Sequence, residues 1–182
     1  AQPVCSASRA GLMTGCYPNR IGISGALFPY HEVGLNPQET TIAEMLKEKG
    51  YATAIYGKWH LGHHKEFLPL QHGFDEYVGV PYSNDMWPLS NTGEKLPKGH
   101  GRLSYPDLPV MKDNDVMFTI TNWEGQDTLT TLYTDKAVDF INRNADNPFF
   151  LYVPHTMAHI PLGVSDKFRG KSEQGVYGDV MM

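Results

Sequence analysis

The stretch Thr41-Ile42-Ala43-Glu44-Met45-Leu46-Lys47-Glu48-Lys49-Gly50-Tyr51-Ala52-Thr53-Ala54-Ile55-Tyr56-Gly57-Lys58-Trp59-His60 decides the fold. Thr41 and Glu44 make a capping box. The hydroxyl accepts the N–H three residues on, and the carboxylate reaches back to the N–H of the cap. Ile42, Met45 and Leu46 share one apolar stripe, and Gly50 ends the helix. Residues 51–56 read as a short strand. Helix, glycine and strand at this spacing form an α/β unit. Gly57-Lys58-Trp59-His60-Leu61-Gly62 then leaves the C-terminal end of the strand. In open α/β sheets that edge is where ligands bind.

Downstream, residues 61–74 read as a loop holding His63, His64 and His72. Residues 77–80 form a second strand that ends in Pro81-Tyr82-Ser83-Asn84-Asp85. Residues 86–105 are rich in Gly, Pro and Asn and have no period, which predicts a long surface loop of the kind that carries specificity. Residues 110–121 alternate weakly and predict a hairpin around Asp113-Asn114. Asp127 or Thr128 caps the clearest helix, whose stripe is Leu129, Leu132, Tyr133, Ala137, Phe140 and Ile141. Asn147-Pro148 stops it. The apolar run 149–153 predicts a central parallel strand buried on both faces. Its C-terminal end delivers Pro154-His155-Thr156-Met157-Ala158-His159-Ile160-Pro161. Residues 176–182 read as the start of a helix, with Asp179 as its cap.

Upstream lies Cys5-Ser6-Ala7-Ser8-Arg9-Ala10-Gly11-Leu12-Met13-Thr14-Gly15. Ser8 has the chemistry of an N-cap, which places Cys5 just before a helix N-terminus. Backbone N–H groups there favour anions, and Arg9 adds a planar cationic fork. From this stretch alone, a small buried cysteine in a turn explains the residues equally well. A Cys5–Cys16 disulfide is a further alternative.

The 182 residues suffice for one domain with a core, and 41% hydrophobic with 19% charged residues is globular composition. A net charge of −5 argues against a general nucleic-acid binder. No apolar run is long enough to span a membrane as a helix. Two cysteines are too few for a disulfide scaffold. The chain opens inside one motif and stops inside a helix. The expectation is that residues 1–182 are the N-terminal part of a larger catalytic domain, truncated at both ends.

Four polar clusters thus sit at strand ends or at a helix start: Cys5/Arg9, Lys58/His60, Ser83 to Asp85, and His155/His159. Parallel strands bring their C-termini to one edge. A nucleophile, a lysine, an arginine and imidazoles gathered there suit hydrolysis of an anionic ester. His60, His63 and His64 make a poor zinc set, because two are adjacent and no cysteine or carboxylate has zinc-like spacing to them. Trp59 and Trp87 read as packing or pocket wall.

Cys5-x-Ala7-x-Arg9 with Leu12-Met13-Thr14-Gly15 resembles the signature of type I sulfatases, with Ala7 where most members have proline. Gly50-Tyr51-Ala52-Thr53-Ala54-Ile55-Tyr56-Gly57-Lys58-Trp59-His60 resembles the second signature. Pro81-Tyr82-Ser83-Asn84-Asp85, and the run from Phe149 to His159-Ile160-Pro161, are weaker matches. The resemblance covers essentially the whole chain and points to the arylsulfatase-like branch.

It implies an alkaline-phosphatase-like α/β fold with a mostly parallel sheet and helices on both faces. It also implies hydrolysis of an aryl or carbohydrate sulfate to an alcohol and inorganic sulfate. Cys5 would be oxidised to formylglycine by a maturation enzyme, and its hydrate would attack sulfur. Arg9 would hold the hydrate, and Lys58 would bind the hydrate and a sulfate oxygen. His60 would be the base that collapses the sulfated hemiacetal. His159, preferred to His155 because of Pro161, would contact sulfate and protonate the leaving alcohol. Ser83 would bind a sulfate oxygen. Residue 5, as formylglycine, would also ligate Ca2+, whose other ligands lie outside this chain, as does a second lysine. The 182 residues alone are then expected to be inactive and to bind calcium poorly. The implied location is periplasmic, secreted or lysosomal. Two alternatives stand: a phosphonate or phosphate ester hydrolase of the same superfamily, and a non-catalytic binding protein with unmodified Cys5.

Overall fold

A computed structural model describes residues 2–182. Its helices are α1 (Cys5–Thr14), α2 (Ile42–Lys47), α3 (Trp123–Asp127), α4 (Leu129–Arg143) and α5 (Gly175–Met181). Its strands are β1 (Ala52–Lys58), β2 (Glu76–Val80), β3 (Leu108–Lys112), β4 (Asp115–Ile120) and β5 (Phe149–Tyr152). They form one sheet in the order β4-β3-β2-β1-β5. β1 pairs parallel with both β2 and β5, with Tyr56 opposite Val78 and Ala52 opposite Phe149. The β3–β4 hairpin adds two antiparallel strands beyond β2, so the sheet is mixed around a parallel centre. Among the described residues no helix is long and apolar enough to cross a membrane.

Alternation along the strands divides the core. Ala54, Tyr56, Val78 and Val80 pack under Leu129, Tyr133, Ala137 and Phe140 of α4. On the opposite face Ile55 and Tyr77 meet Ala10 and Met13 of α1, Ala43 of α2, and Trp59 and Phe74. Helices therefore cover both faces. The Thr41/Glu44 capping box forms as expected, and the Thr41 hydroxyl also donates to the His72 carbonyl at 2.7 Å.

Several expectations need correction. α1 starts at Cys5, with extended Val4 as its N-cap and no side-chain cap. Ser8 is internal, its N–H bonded to the Val4 carbonyl at 2.8 Å. Burial of Ser6, Ala7, Ala10 and Met13 carries the helix a turn further back than capping preference would. Cys5 is thus the first residue of α1, and Cys16 lies past its far end. Ten residues rise about 15 Å, and a disulfide needs Cα atoms within about 7 Å. The two thiols are free, and the disulfide alternative is ruled out by geometry.

β1 runs on through Gly57 and Lys58. Gly57 (φ 142°) lies so close to the chain after β5 that a Cβ would sit 2.2 Å from the Pro154 oxygen. Among the described residues β5 is half-buried and pairs with β1 alone, at one end of the strand order, rather than lying buried on both faces. Of the two expected caps, Thr128 is the N-cap of α4, without a side-chain capping bond, while Asp127 ends α3, whose own cap is Asn122. Ile141 on α4 is exposed. Asp179 lies inside α5, and its carboxylate instead accepts the N–H groups of Gly170 and Ser172 at 2.8 and 2.7 Å. Residues 86–105 hold one bridge, Leu89 to Lys95, and one 3-10 turn, but Met86 and Trp87 are buried beneath α4.

Candidate active site

The site forms where α1 meets the C-terminal ends of β1, β2 and β5. Cys5 and Arg9 are one helical turn apart and share a face of α1. The Arg9 guanidinium donates to the Lys58 carbonyl and to the Tyr152 hydroxyl, the latter at 3.3 Å. It therefore ties the helix start to the last residues of β1 and β5 and is held in one orientation.

Lys58 closes β1 and is only 2% exposed. Its ammonium donates to Ser83 Oγ at 2.9 Å, just beyond β2. Burial lowers it to about 8; Cys5 and Asp85 pull it up again, while Arg9 pushes it further down. A lysine with one partner has donor capacity left for an anion.

His60 is fully buried and left-handed (φ 61°), with its backbone N–H bonded to the Pro81 carbonyl at 3.1 Å. Its Nε2 lies 2.7 Å from the Leu27 carbonyl. A carbonyl only accepts, so Nε2 carries the hydrogen and Nδ1 keeps the lone pair. That Nδ1 is buried without a partner. Burial, reinforced by Lys58, lowers the ring to about 3, so it is neutral at ordinary pH. A neutral imidazole with a free lone pair beside two cations is a base.

Asn84, next to Ser83, pins the fourth cluster by donating to the Pro161 carbonyl at 3.1 Å and to Gln126 at 3.3 Å. His159 in that segment has Nδ1 2.6 Å from the Ile160 carbonyl, so Nδ1 is protonated and Nε2 is free. Nδ1 also lies 3.9 Å from Asp85 Oδ1. His155 turns instead to α4, its ring centroid 6.4 Å from that of Tyr133. The structure thus brings together Cys5, Arg9, Lys58, His60, Ser83 and His159, and leaves His155 aside.

Other contributors were not singled out from sequence: Tyr152 on Arg9, the Leu27 carbonyl on His60, and the Asp85–Arg102 pair, with Nη2 3.5 Å from Oδ2. Asp85 was legible as a neighbour of Ser83. Arg102 comes from an aperiodic loop and left no sequence signal.

Among the described residues no three His, Cys, Asp or Glu side chains converge as a metal site. His63 and His64 stack at 4.3 Å and pack by Tyr82 and Phe67. Calcium needs several hard oxygen donors. Asp85, the carboxylate beside the site, is already flanked by Arg102 and His159. The residues present do not fit a calcium cage.

The protein-family model for Sulfatase matches residues 1–179. The chain belongs to the sulfatase family. It is 39% identical to N-acetylgalactosamine-6-sulfatase of Canis lupus familiaris, a match that covers 100% of this chain and 35% of that protein. It is 37% identical to arylsulfatase G of Rattus norvegicus, covering 97% of this chain and 36% of that one. Among solved structures it resembles the PsFucS1 sulfatase from Pseudoalteromonas sp., with 27% identity and a TM-score of 0.83 over 100% of this chain and 40% of that one. The sulfatase chain described here thus spans 35% and 36% of the two curated relatives and 40% of the solved one, and carries part of an alkaline-phosphatase-like α/β domain.

Proposed function

We propose that the full-length protein hydrolyses a sulfate ester, with residue 5 as the nucleophile after conversion of Cys5 to formylglycine. The carrying observation is that Cys5, at the start of α1, lies at one sheet edge with Arg9, the buried Lys58–Ser83 pair and the neutral base His60. Family membership supports the same reading.

As a hydrate, the formylglycine side chain supplies one oxygen to attack sulfur and a second hydroxyl that later expels sulfate. Arg9, fixed by the Lys58 carbonyl and Tyr152, orients residue 5 and offsets negative charge. Lys58 has N–H bonds beyond the one given to Ser83, and these bind a sulfate oxygen. Ser83 thereby orients the ammonium and adds its own hydroxyl to the anion site. His60 Nδ1 takes the proton from the second hydroxyl. His159 in its imidazolium form, with Nδ1–H on the Ile160 carbonyl and the Asp85 carboxylate nearby, donates its Nε2 proton to the leaving alcohol. In sum, the ester and water give an alcohol and inorganic sulfate. The calcium ligands and the second lysine belong to parts of the protein outside these 182 residues.

Mass spectrometry of the Cys5 peptide, from full-length protein made in its own host, tests the proposal. An aldehyde or its hydrate is expected, and an intact thiol overturns the nucleophile. Turnover of an aryl sulfate in preference to the matching aryl phosphonate is expected, and the reverse preference overturns the sulfate reading.

A further inference from the structure

An aromatic cluster lies beside this site, on the turn that follows Leu27. Tyr30 is 63% exposed, yet its ring is held on three sides. It stacks on Phe28 (centroids 5.4 Å apart, planes 3° apart), meets the edge of His31 at 4.7 Å, and lies 6.3 Å from Tyr105 at 29°. The turn is closed by the Phe28 N–H on His31 Nδ1 at 3.1 Å and by the His31 N–H on the Phe28 carbonyl at 2.9 Å. The open ring is therefore preorganised, at little further entropic cost on binding.

Two independent connections join this platform to the reacting groups. On one side, Leu27 precedes Phe28. Its carbonyl holds His60, and its N–H donates to Ser6 Oγ at 3.0 Å, next to Cys5. On the other side, the Tyr105 N–H donates to the Arg102 carbonyl at 3.0 Å, and the Arg102 guanidinium lies 3.5 Å from Asp85 Oδ2. Asp85 in turn reaches His159. Arg102 is braced by Asn91 Oδ1 at 2.7 Å. Asp85 Oδ1 is buried and makes no hydrogen bond.

An apolar ring face bordered by a carboxylate acceptor and a guanidinium donor matches a pyranose ring, which has C–H faces and a rim of hydroxyls. We infer that Tyr30 and Tyr105, with Asp85 and Arg102 at their border, form a subsite for a second sugar ring beside the sulfated one. This inference rests on the proposed sulfatase function and narrows its substrate to a sulfated saccharide of at least two rings. The sulfated ring lies at Lys58 and His159, and the neighbouring ring stacks on Tyr30 while its hydroxyls meet the exposed part of the Asp85 carboxylate and the Arg102 guanidinium.

The test uses full-length matured protein with a sulfated disaccharide and the matching sulfated monosaccharide. The wild type should favour the disaccharide through a lower KM. Tyr30→Ala should raise the disaccharide KM about tenfold, with kcat changed under about twofold, and abolish the preference. Tyr30→Phe, which keeps the ring, should restore it. Equal losses on both substrates, or a wild type that shows no disaccharide preference, would overturn the subsite. If the wild type cleaves no sulfate ester, the proposed function fails instead. Saturation-transfer NMR with the unsulfated disaccharide then decides the subsite alone. Transfer to one ring that is lost in Tyr30→Ala supports it, and no transfer to the wild type overturns it.

Discussion

His60 shows how burial turns a residue type into a chemical role. Its folded value of about 3 lies below the ordinary 6.5, so the unfolded chain takes up the proton first as pH falls. Its contribution to stability is complete above pH 6.5 and is lost as pH drops toward 3. Over that window wild-type stability should fall by a few kcal/mol more than that of His60→Gln, on the order of 1.4 kcal/mol per pH step. Urea midpoints measured from pH 7 to 3.5 check this; parallel curves would contradict it. Lys58 acts at the other end of the scale. Its folded value of about 8 lies below 10.5, so folding releases its proton between those limits, and stability attributable to it rises with pH through that window. Lys58→Met should lose that alkaline rise in denaturation midpoints. In the matured full-length protein the same change should cut turnover of a sulfate ester about 10²–10³-fold, the usual cost of removing one donor to developing negative charge. Motif spacing pointed to Lys58, His60 and His159. It could not single out Arg102 or the Leu27 carbonyl, because each matters through what lies across the site rather than along the chain.

Elements place these residues through close backbone approach. At Gly57 the left-handed φ and the Pro154 oxygen leave no room for a Cβ, and Gly79 across the β1–β2 pair faces the Gly57 oxygen at 1.8 Å from its own notional Cβ. Gly57→Ala should destabilise the chain by about 2–4 kcal/mol, and it should also displace Lys58, the next residue. Thermal unfolding reads the first effect. Loss of activity in the full-length protein, at a temperature where the variant stays folded, reads the second. The capping box of α2 is a milder case. Thr41→Ala should cost about 1–2 kcal/mol, at the upper end because the buried hydroxyl also satisfies the His72 carbonyl. A thermal shift that Thr41→Ser largely restores checks it.

At the scale of the molecule, β1 is the spine, flanked in parallel by β2 and β5, and the chain leaves all three at one edge. That topology gathers Lys58, His60, Ser83 and His159 from segments about 100 residues apart. It also limits the chain. No described cluster of donors suits a hard divalent ion, so calorimetric titration of these 182 residues with Ca2+ should show no binding at micromolar concentration. Tight binding by this chain alone would contradict that.

Local signals along the chain were enough for the helix–glycine–strand unit, the hairpin turn, the α4 stripe and the signature residues Cys5, Arg9, Lys58 and His60. These depend on local period, capping chemistry and spacing, all of which are written along the chain. Where α1 begins, that Cys5 and Cys16 stay apart, and that His159 rather than His155 faces Asp85 came from the folded chain. Those outcomes depend on which surfaces meet. Burial of the α1 face outweighed the capping preference of Ser8.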